Sequence, residues 1–416
     1  MGHLLMVESW VGAMSSLLPR AIREAGHRFT FLTRDLHHYL RAPSGFFAHP
    51  LLAADNVVTA ETNDVPALLS HVERLHEVFG FDGVISSCDY YLATAARLAS
   101  RLGLPGAGPE AVERACRKDL TREALRKAGL PGPAFAVTSG WPETASRAGE
   151  MGYPLVIKPV DLCAGMYVRR VDDREQLREA YLALEGFPVN ARRQPRLPVV
   201  LLEEVLTGPE ISVESVAFEG ETAIVGITDK SLTGEPWFVE SGHMFPAALD
   251  PDTVRSAGEA ALAALAAVGL DHGVAHTELK LTPDGPRVVE INPRPAGNQI
   301  TELVRRVTGV DIPTAYAQLA LGERPRLAPA DTGVRSAAIA FLLPPGPGTL
   351  SAVHGIRRLA EAGDVVEWQV KAPGFLAGEP TSNNGYLGHV MVADTAGLGA
   401  RSRAERLVAG LTVEYA

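Results

Sequence analysis

The chain opens on an unbroken apolar run, HLLMVES, followed by a helical pattern from Ser15 to Glu24, a stop at Gly26 and a second apolar run, RFTFLT. Apolar runs that alternate with helical stretches predict strands buried on both faces, the βαβ start of a parallel sheet. FDGVISS repeats the strand pattern, and a helix from about Tyr91 to Leu102 stops at LGLPG. A first unit is therefore expected to close near Gly108. Asp89 falls just past a strand, where open α/β sheets place ligands. Capping the next helix is an equally good use for it.

Beyond Gly108 the pattern predicts a helix from Glu110 to Gly129, with Lys118 and Arg122 four apart on one face, usually a solvated one. A helix from Glu143 to Met151 precedes the strand YPLVIKP, which embeds Lys158 between Ile157 and Pro159, where an unpaired ammonium is costly. Asp161 to Tyr167 reads as a compact turn whose amides, around Ala164 and Gly165, can approach phosphate. Phe187 to Pro198 reads as a surface loop. The strands PVVLLEEVL, ISVESVAF and TAIVGITDK follow, the second placing Ser212, Glu214 and Val216 in line with Glu210, and the third delivering Lys230. Thr233 to Pro246 reads as a loop that brings Glu240 and His243 close together. It suits substrate ordering better than metal binding, because further ligands at metal spacing are missing. Helices are expected over Pro251 to Val268 and Gln299 to Thr308. Past Asp331, short strands such as VVEWQV and HVMVAD, the loop TSNNGYLG and a closing helix from Ser402 to Leu411 predict a small α+β lobe.

Between those two central helices lies GVAHTELKLTPDGPRVVEINPRPAGN, which reads as a β-hairpin. A three-residue loop Pro283-Asp284-Gly285 sets Glu278 opposite Glu290 and His276 opposite Asn292. Carboxylates facing each other across a ladder repel. A divalent cation between them reverses the sign, and magnesium suits such a pair.

Composition narrows the class. The 416 residues imply two to four units, and the charged fraction of 21% and hydrophobic fraction of 46% are those of a soluble globular protein. A net charge of −10 argues against nucleic acid as partner. Only six of the 39 basic residues are lysine, so the position of each carries weight. Cys88, Cys116 and Cys163 lack metal-site spacing and fit a reducing cytoplasm. No stretch has signal-peptide or membrane-spanning character. The first turn, Glu8 to Gly12, lacks G-x-G-x-x-G, which disfavours a dinucleotide enzyme.

In this order, CRKDLTREALRKAGLPGP, YPLVIKP, LLEEVLTGPEISVE, TDK with E-x-G-H, and EINPRPAGN resemble the ATP-grasp enzymes, most closely the carboxylate–amine ligases that include L-amino acid ligases and carnosine synthase. The resemblance spans nearly the whole chain. It implies an N-terminal parallel-sheet domain over 1–108, a two-lobed ATP-grasp domain over 109–330 with a lid at about 130–203, and a C-terminal α+β lobe over 331–416. Lys118 and Lys158 then take the α- and β-phosphates of ATP, with Gly165 in the phosphate loop. Glu203, Glu204 and Leu206 hold adenine, chiefly through backbone groups, and Glu210 takes the ribose. Glu278, Glu290 and Asn292 bind two magnesium ions, for which manganese can substitute. Arg294 contacts the transferred phosphate and the substrate carboxylate.

The implied reaction joins a small carboxylic acid to an amine or amino acid through an acyl phosphate. Arg294, with Lys230, is expected to stabilise the oxyanion, and Glu240, His243 and His276 are candidates to take the amine's proton. The Asn383–Asn384 loop is expected beside the donor acid; for Trp237 and Phe238, lining an apolar acceptor pocket and packing under the loop are equally good uses. A homodimer is implied by resemblance alone. Two rival enzymes, a biotin-carboxylase-like and a purine-pathway ATP-grasp protein, fit less well: Pro295-Ala296-Gly297-Asn298 follows Arg294 where the first carries Gln-Val-Glu-His. A non-catalytic ATP-binding module predicts a missing lysine or metal ligand, and none is missing.

Overall fold

A computed structural model describes residues 1–9, 12–39, 50–233 and 235–416. The first apolar runs form a four-stranded parallel sheet in the order Asn56–Thr59, Arg28–Thr33, His3–Val7 and Gly83–Ile85. Every residue of His3–Val7 is buried, because the helices Met14–Glu24, Val65–Phe79 and Leu92–Leu102 cover the sheet. Trp10 and Val11 of the first turn lie outside the described residues.

The helix Ile312–Ala320 comes from much later in the chain and packs into this N-terminal core through Ala317 and Ala320. Gly83 permits the approach, since a Cβ there would lie 2.0 Å from the Ala320 carbonyl oxygen. Tyr316 Oη also donates to the Ser86 carbonyl at 2.6 Å. The parallel sheet is thus pinned to the body of the molecule along its edge strand Gly83–Ile85.

That body is an eight-stranded antiparallel sheet, ordered Gly285–Asn292, Gly273–Thr282, Glu210–Phe218, Glu221–Leu232, Glu240–Phe245, Ser336–Leu342, Gly388–Asp394 and Val365–Val370. The helix Pro251–Val268 lies against it with an alanine face of Ala257, Ala261 and Ala264, small enough for close approach. The last three strands come from beyond Asp331, so much of the C-terminal segment extends the central sheet. A separate three-stranded sheet of Leu376–Ala377, Gly348–His354 and Thr412–Tyr415 completes it. A second antiparallel sheet, Phe135–Thr138, Val200–Glu204, Leu155–Pro159 and Arg169–Val171, carries the helices Trp141–Met151 and Arg174–Glu185 around its own core.

Two expected elements differ. The helix from Glu110 to Gly129 is two helices, Pro109–Cys116 and Lys118–Lys127, with Arg117 extended between them. Arg117 closes on Asp119, and the Lys118 amide donates to the Val160 carbonyl at 3.2 Å. Residues 240 to 245, expected within a loop, are a strand, because β pairing to both neighbours overrides the turn character of Gly242. Among the described residues, no helix is long and apolar enough to cross a membrane.

Candidate active site

The hairpin strands do set Glu278 opposite Glu290 and His276 opposite Asn292. The route differs from the expected one. The turn has two residues, with Thr282 paired to Gly285, which alone would shift the register by one. A β-bulge at Val289 adds the residue back, and bulges of this kind re-aim side chains beside sites. The Val289 carbonyl accepts from an Arg122 terminal nitrogen at 2.7 Å.

Glu278 and Glu290, which would repel each other alone, each have a cation of the chain. Lys118 Nζ lies 3.0 Å from Glu290 Oε1 and donates to the Leu162 carbonyl at 2.7 Å. Lys230 Nζ lies 2.8 Å from Glu278 Oε1. Burial opposes ionisation of Glu278, yet Lys230 and His276 hold its carboxyl far below the ordinary range. With the Asn292 side-chain oxygen, the two carboxylates offer hard oxygen donors at one wall of a cavity. Among the described residues no cluster of three His, Cys, Asp or Glu forms a closed metal cage. That donor set fits magnesium, which keeps water and phosphate oxygens in its shell.

The break at Arg117 aims Lys118 and Arg122 inward, so neither has the solvated fate usual for such a pair: both are under a tenth exposed. Arg122 Nε lies 2.5 Å from Glu203 Oε1 and Lys158 Nζ 2.5 Å from Glu203 Oε2. Against the cost of burial, these two cations keep Glu203 ionised and its carboxyl below the ordinary range. With the Glu203 side chain so engaged, the segment Glu203 to Leu206 lines the cavity; Glu204 Oε2 accepts from the Ala134 amide at 3.1 Å and the Glu204 amide donates to the Ala134 carbonyl at 2.9 Å. Glu210 is held by Lys230 at 3.0 Å and by Lys280 at 3.2 Å. In the loop after Lys158, Ala164, Gly165 and Tyr167 have positive φ, and Cys163, Ala164 and Gly165 line the cavity. Successive amides in such a turn form a cradle for an anion.

On the far side of the cavity, Glu240 is held from every direction. Lys230 Nζ stands 3.0 Å from its carboxylate and His243 Nε2 stands 3.2 Å away. Asn298 Nδ2 donates to it as well. The Glu240 amide donates to Asn383 Oδ1 at 3.0 Å, and Tyr386 Oη donates to its carbonyl at 3.0 Å. Burial opposes the charge, but Lys230 and His243 keep the carboxyl well below the ordinary range.

Three of the expected catalytic roles need correction. Lys230 is buried, its ammonium shared by Glu210, Glu240 and Glu278, and is not among the residues lining the cavity, so its place is to support carboxylates. His243 is also buried behind Glu240 and is not among the residues lining the cavity. His276 lines it, but both ring nitrogens are engaged: Nδ1 lies 3.0 Å from Glu214 and Nε2 3.1 Å from Glu278. Burial disfavours its cation, yet these two glutamates push its pKa up to about 9. A ring protonated and doubly bonded at neutral pH has no lone pair with which to take a proton.

Arg294 does line the cavity, its Nε bonded to Asp89 Oδ1 at 2.6 Å. The cavity has a volume of about 350 Å³ and gathers Lys118, Lys158, Gly165, the segment 203–206, Glu210, Glu240, Glu278, Glu290, Asn292 and Arg294. Trp237, Phe238, Asn383 and Asn384 also line it. Arg122, Glu214, Lys280 and Asn298 also hold the site together and were not singled out for it by sequence. Lys280 was legible in one respect, since it is one of only six lysines.

The ATP-grasp domain family matches residues 151–302, the ATP-grasp N-terminal domain residues 20–106, and the L-amino acid ligase C-terminal domain 2 residues 340–416. The chain is 31% identical to the protein y4rH of Sinorhizobium fredii over 335 residues, 77% of this chain and 68% of that one. It is likewise 31% identical to carnosine synthase 1 of Gallus gallus over 334 residues, 76% of this chain but only 35% of the relative's length. The crystal structure of an L-amino acid ligase from Bacillus licheniformis superposes with a TM-score of 0.80 at 24% identity, covering 100% of this chain and 99% of that one.

Proposed function

This chain belongs to the ATP-grasp superfamily, and from that premise we propose that it is an ATP-dependent carboxylate–amine ligase, forming an amide and releasing ADP and phosphate. The observation that carries the proposal is the convergence, in one cavity, of Lys118 and Lys158, the facing carboxylates Glu278 and Glu290, and the half-buried Arg294. Enzymes of this superfamily use ATP with magnesium. Here ATP would lie between the two antiparallel sheets, adenine along the backbone of Glu203 to Leu206 and ribose at Glu210. Lys118, Lys158 and the amides around Gly165 would meet the phosphates. Glu278, Glu290 and Asn292 would hold magnesium, two ions in our reading, which neutralises charge on the triphosphate.

In the first step a carboxylate oxygen of the acid attacks the γ-phosphorus, the bond to the β-phosphate oxygen breaks, and ADP leaves. In the second, the amine nitrogen attacks the acyl carbon, the phosphate departs with its bridging oxygen, and the nitrogen loses a proton. The protein's work is to spread charge and align reactants. Arg294 serves the acyl phosphate and the tetrahedral oxyanion. Glu240 is the one proton acceptor among the three candidates that faces the cavity with an unprotonated oxygen. Its carboxyl lies so far below the ordinary range that it serves better to orient the amine as an ammonium before the proton leaves. An ADP-release screen over pairs of amino acids and small acids, with product masses measured, tests the proposal. ADP formed only when both acid and amine are present, with a product whose mass is the sum of acid and amine less one water, is the expected result. Nucleotide binding without turnover on any pair would favour a non-catalytic module.

A further inference from the structure

We infer that Asp89 is a positioning residue of this site, holding the Arg294 guanidinium in place from the neighbouring parallel sheet; the inference rests on the role given to Arg294 above. Asp89 follows the strand Gly83–Ile85 and opens the short 3-10 turn Asp89–Tyr91. It is not the cap of that turn: the capping position is Cys88, and no side-chain cap bond forms there. Its carboxylate points instead across the cavity wall to Arg294, with the side chains 18% and 15% exposed.

A guanidinium carries five N–H donors in one plane. Arg294 places Nε on Asp89 at 2.6 Å, one terminal nitrogen on the Pro295 carbonyl at 3.0 Å, and the other on Asn292 Oδ1 at a long 3.5 Å. Among the described residues this leaves one hydrogen on each terminal nitrogen for a ligand in the cavity. Nε and the first terminal nitrogen fix the plane, and the Asp89 bond is the shortest of the three. Glu290 also attracts the same guanidinium. Without the charge of Asp89, Arg294 would be drawn toward the proposed magnesium wall and away from the acyl centre.

The anchor is itself rigid. Strand Gly83–Ile85 is pinned by the contact of Gly83 with Ala320, and Ser86 by Tyr316. The N-terminal sheet thereby acts on the reaction without touching a reacting atom.

The test pairs kinetics with a direct reading of the arginine. Asp89→Asn should lower kcat by roughly 10- to 100-fold while KM for ATP stays within about twofold, since a misplaced group acts on the transition state. Asp89→Glu, which keeps the charge, should recover part of that loss. In an Arg294→Lys background, adding Asp89→Asn should cost less than about twofold, because the two residues act as a unit. Asp89→Asn retaining kcat within about twofold, or the same fractional loss in both backgrounds, would overturn the inference. Separately, the Nε–H resonance of Arg294, assigned by its loss in Arg294→Lys, should be slowly exchanging in the wild type and shifted or lost in Asp89→Asn. An unchanged resonance would also overturn it. If the wild type releases no ADP with any acid–amine pair, the ligase reading falls, and the resonance alone still decides whether Asp89 holds Arg294.

Discussion

Lys118 and Glu290, 172 residues apart in the chain, meet at 3.0 Å on the cavity wall. The partnership joins a proposed phosphate ligand to a proposed metal ligand, so the two groups neutralise each other until nucleotide and cation arrive together. Burial disfavours the ammonium, but Glu290 overcomes it and raises the Lys118 pKa.

It follows that Glu290→Gln should separate the two functions. Calorimetry with ADP should show metal-free affinity unchanged or improved, since Lys118 is released to the phosphates. The gain in affinity on adding magnesium should fall by about tenfold or more. Equal losses with and without magnesium would contradict the assignment.

Glu203 joins Arg122 and Lys158, all three under a tenth exposed. Removing the anion they share leaves two buried cations close together, and breaking a buried pair in this way costs about 3–5 kcal/mol. Glu203→Ala should lower unfolding stability by that amount in denaturant titrations. The pH dependence has a definite sign. Because the folded Glu203 pKa lies below the ordinary 4.5, its contribution is present above that value and is lost as pH falls through the folded pKa. Between pH 5 and acid unfolding, about one carboxylate's share of the slope should disappear in Glu203→Gln.

Burial, assisted by the charge of Asp89, pushes the Cys163 thiol up to about 12, against 9.0 for an ordinary one. At pH 8 its thiolate fraction should be about a thousandfold below that of a free cysteine, and alkylation slow in proportion. The rate should climb with each pH unit until about 12. Since Cys163 lines the cavity, ADP should slow it further. Peptide mass spectrometry of the alkylated protein reads both effects.

How much of this was legible in the sequence depended on the range of the interaction. Buried strands such as His3–Val7 and Leu155–Pro159 announce themselves, because their apolar runs reflect local burial. The register of Glu278 and Glu290 could be stated from the hairpin, but by way of a turn the chain does not use. The Val289 bulge that restores it is stabilised by Arg122, from another element. The helix break at Arg117 was hidden for the same reason: Lys118 is satisfied by Val160, Leu162 and Glu290, none of them near it in sequence. Glu240 read as a loop residue because its pairing with Leu232 closes only when both strands are in place. The strands Gly348–His354 and Thr412–Tyr415 are only partly buried, so their pairing to each other and of the first to Leu376–Ala377, more than any apolar run, defines them. Residue type named most of the site. Which side chains face the cavity, and which only hold those that do, required tertiary geometry.

We propose that the acid is activated as an acyl phosphate in the cavity beside Arg294. It is tested most directly with a substrate acid carrying ¹⁸O in both carboxylate oxygens. After turnover with an amine, mass spectrometry of the released phosphate should find one ¹⁸O per molecule, with ADP as the nucleotide product. Phosphate free of label, or AMP in place of ADP, would contradict it.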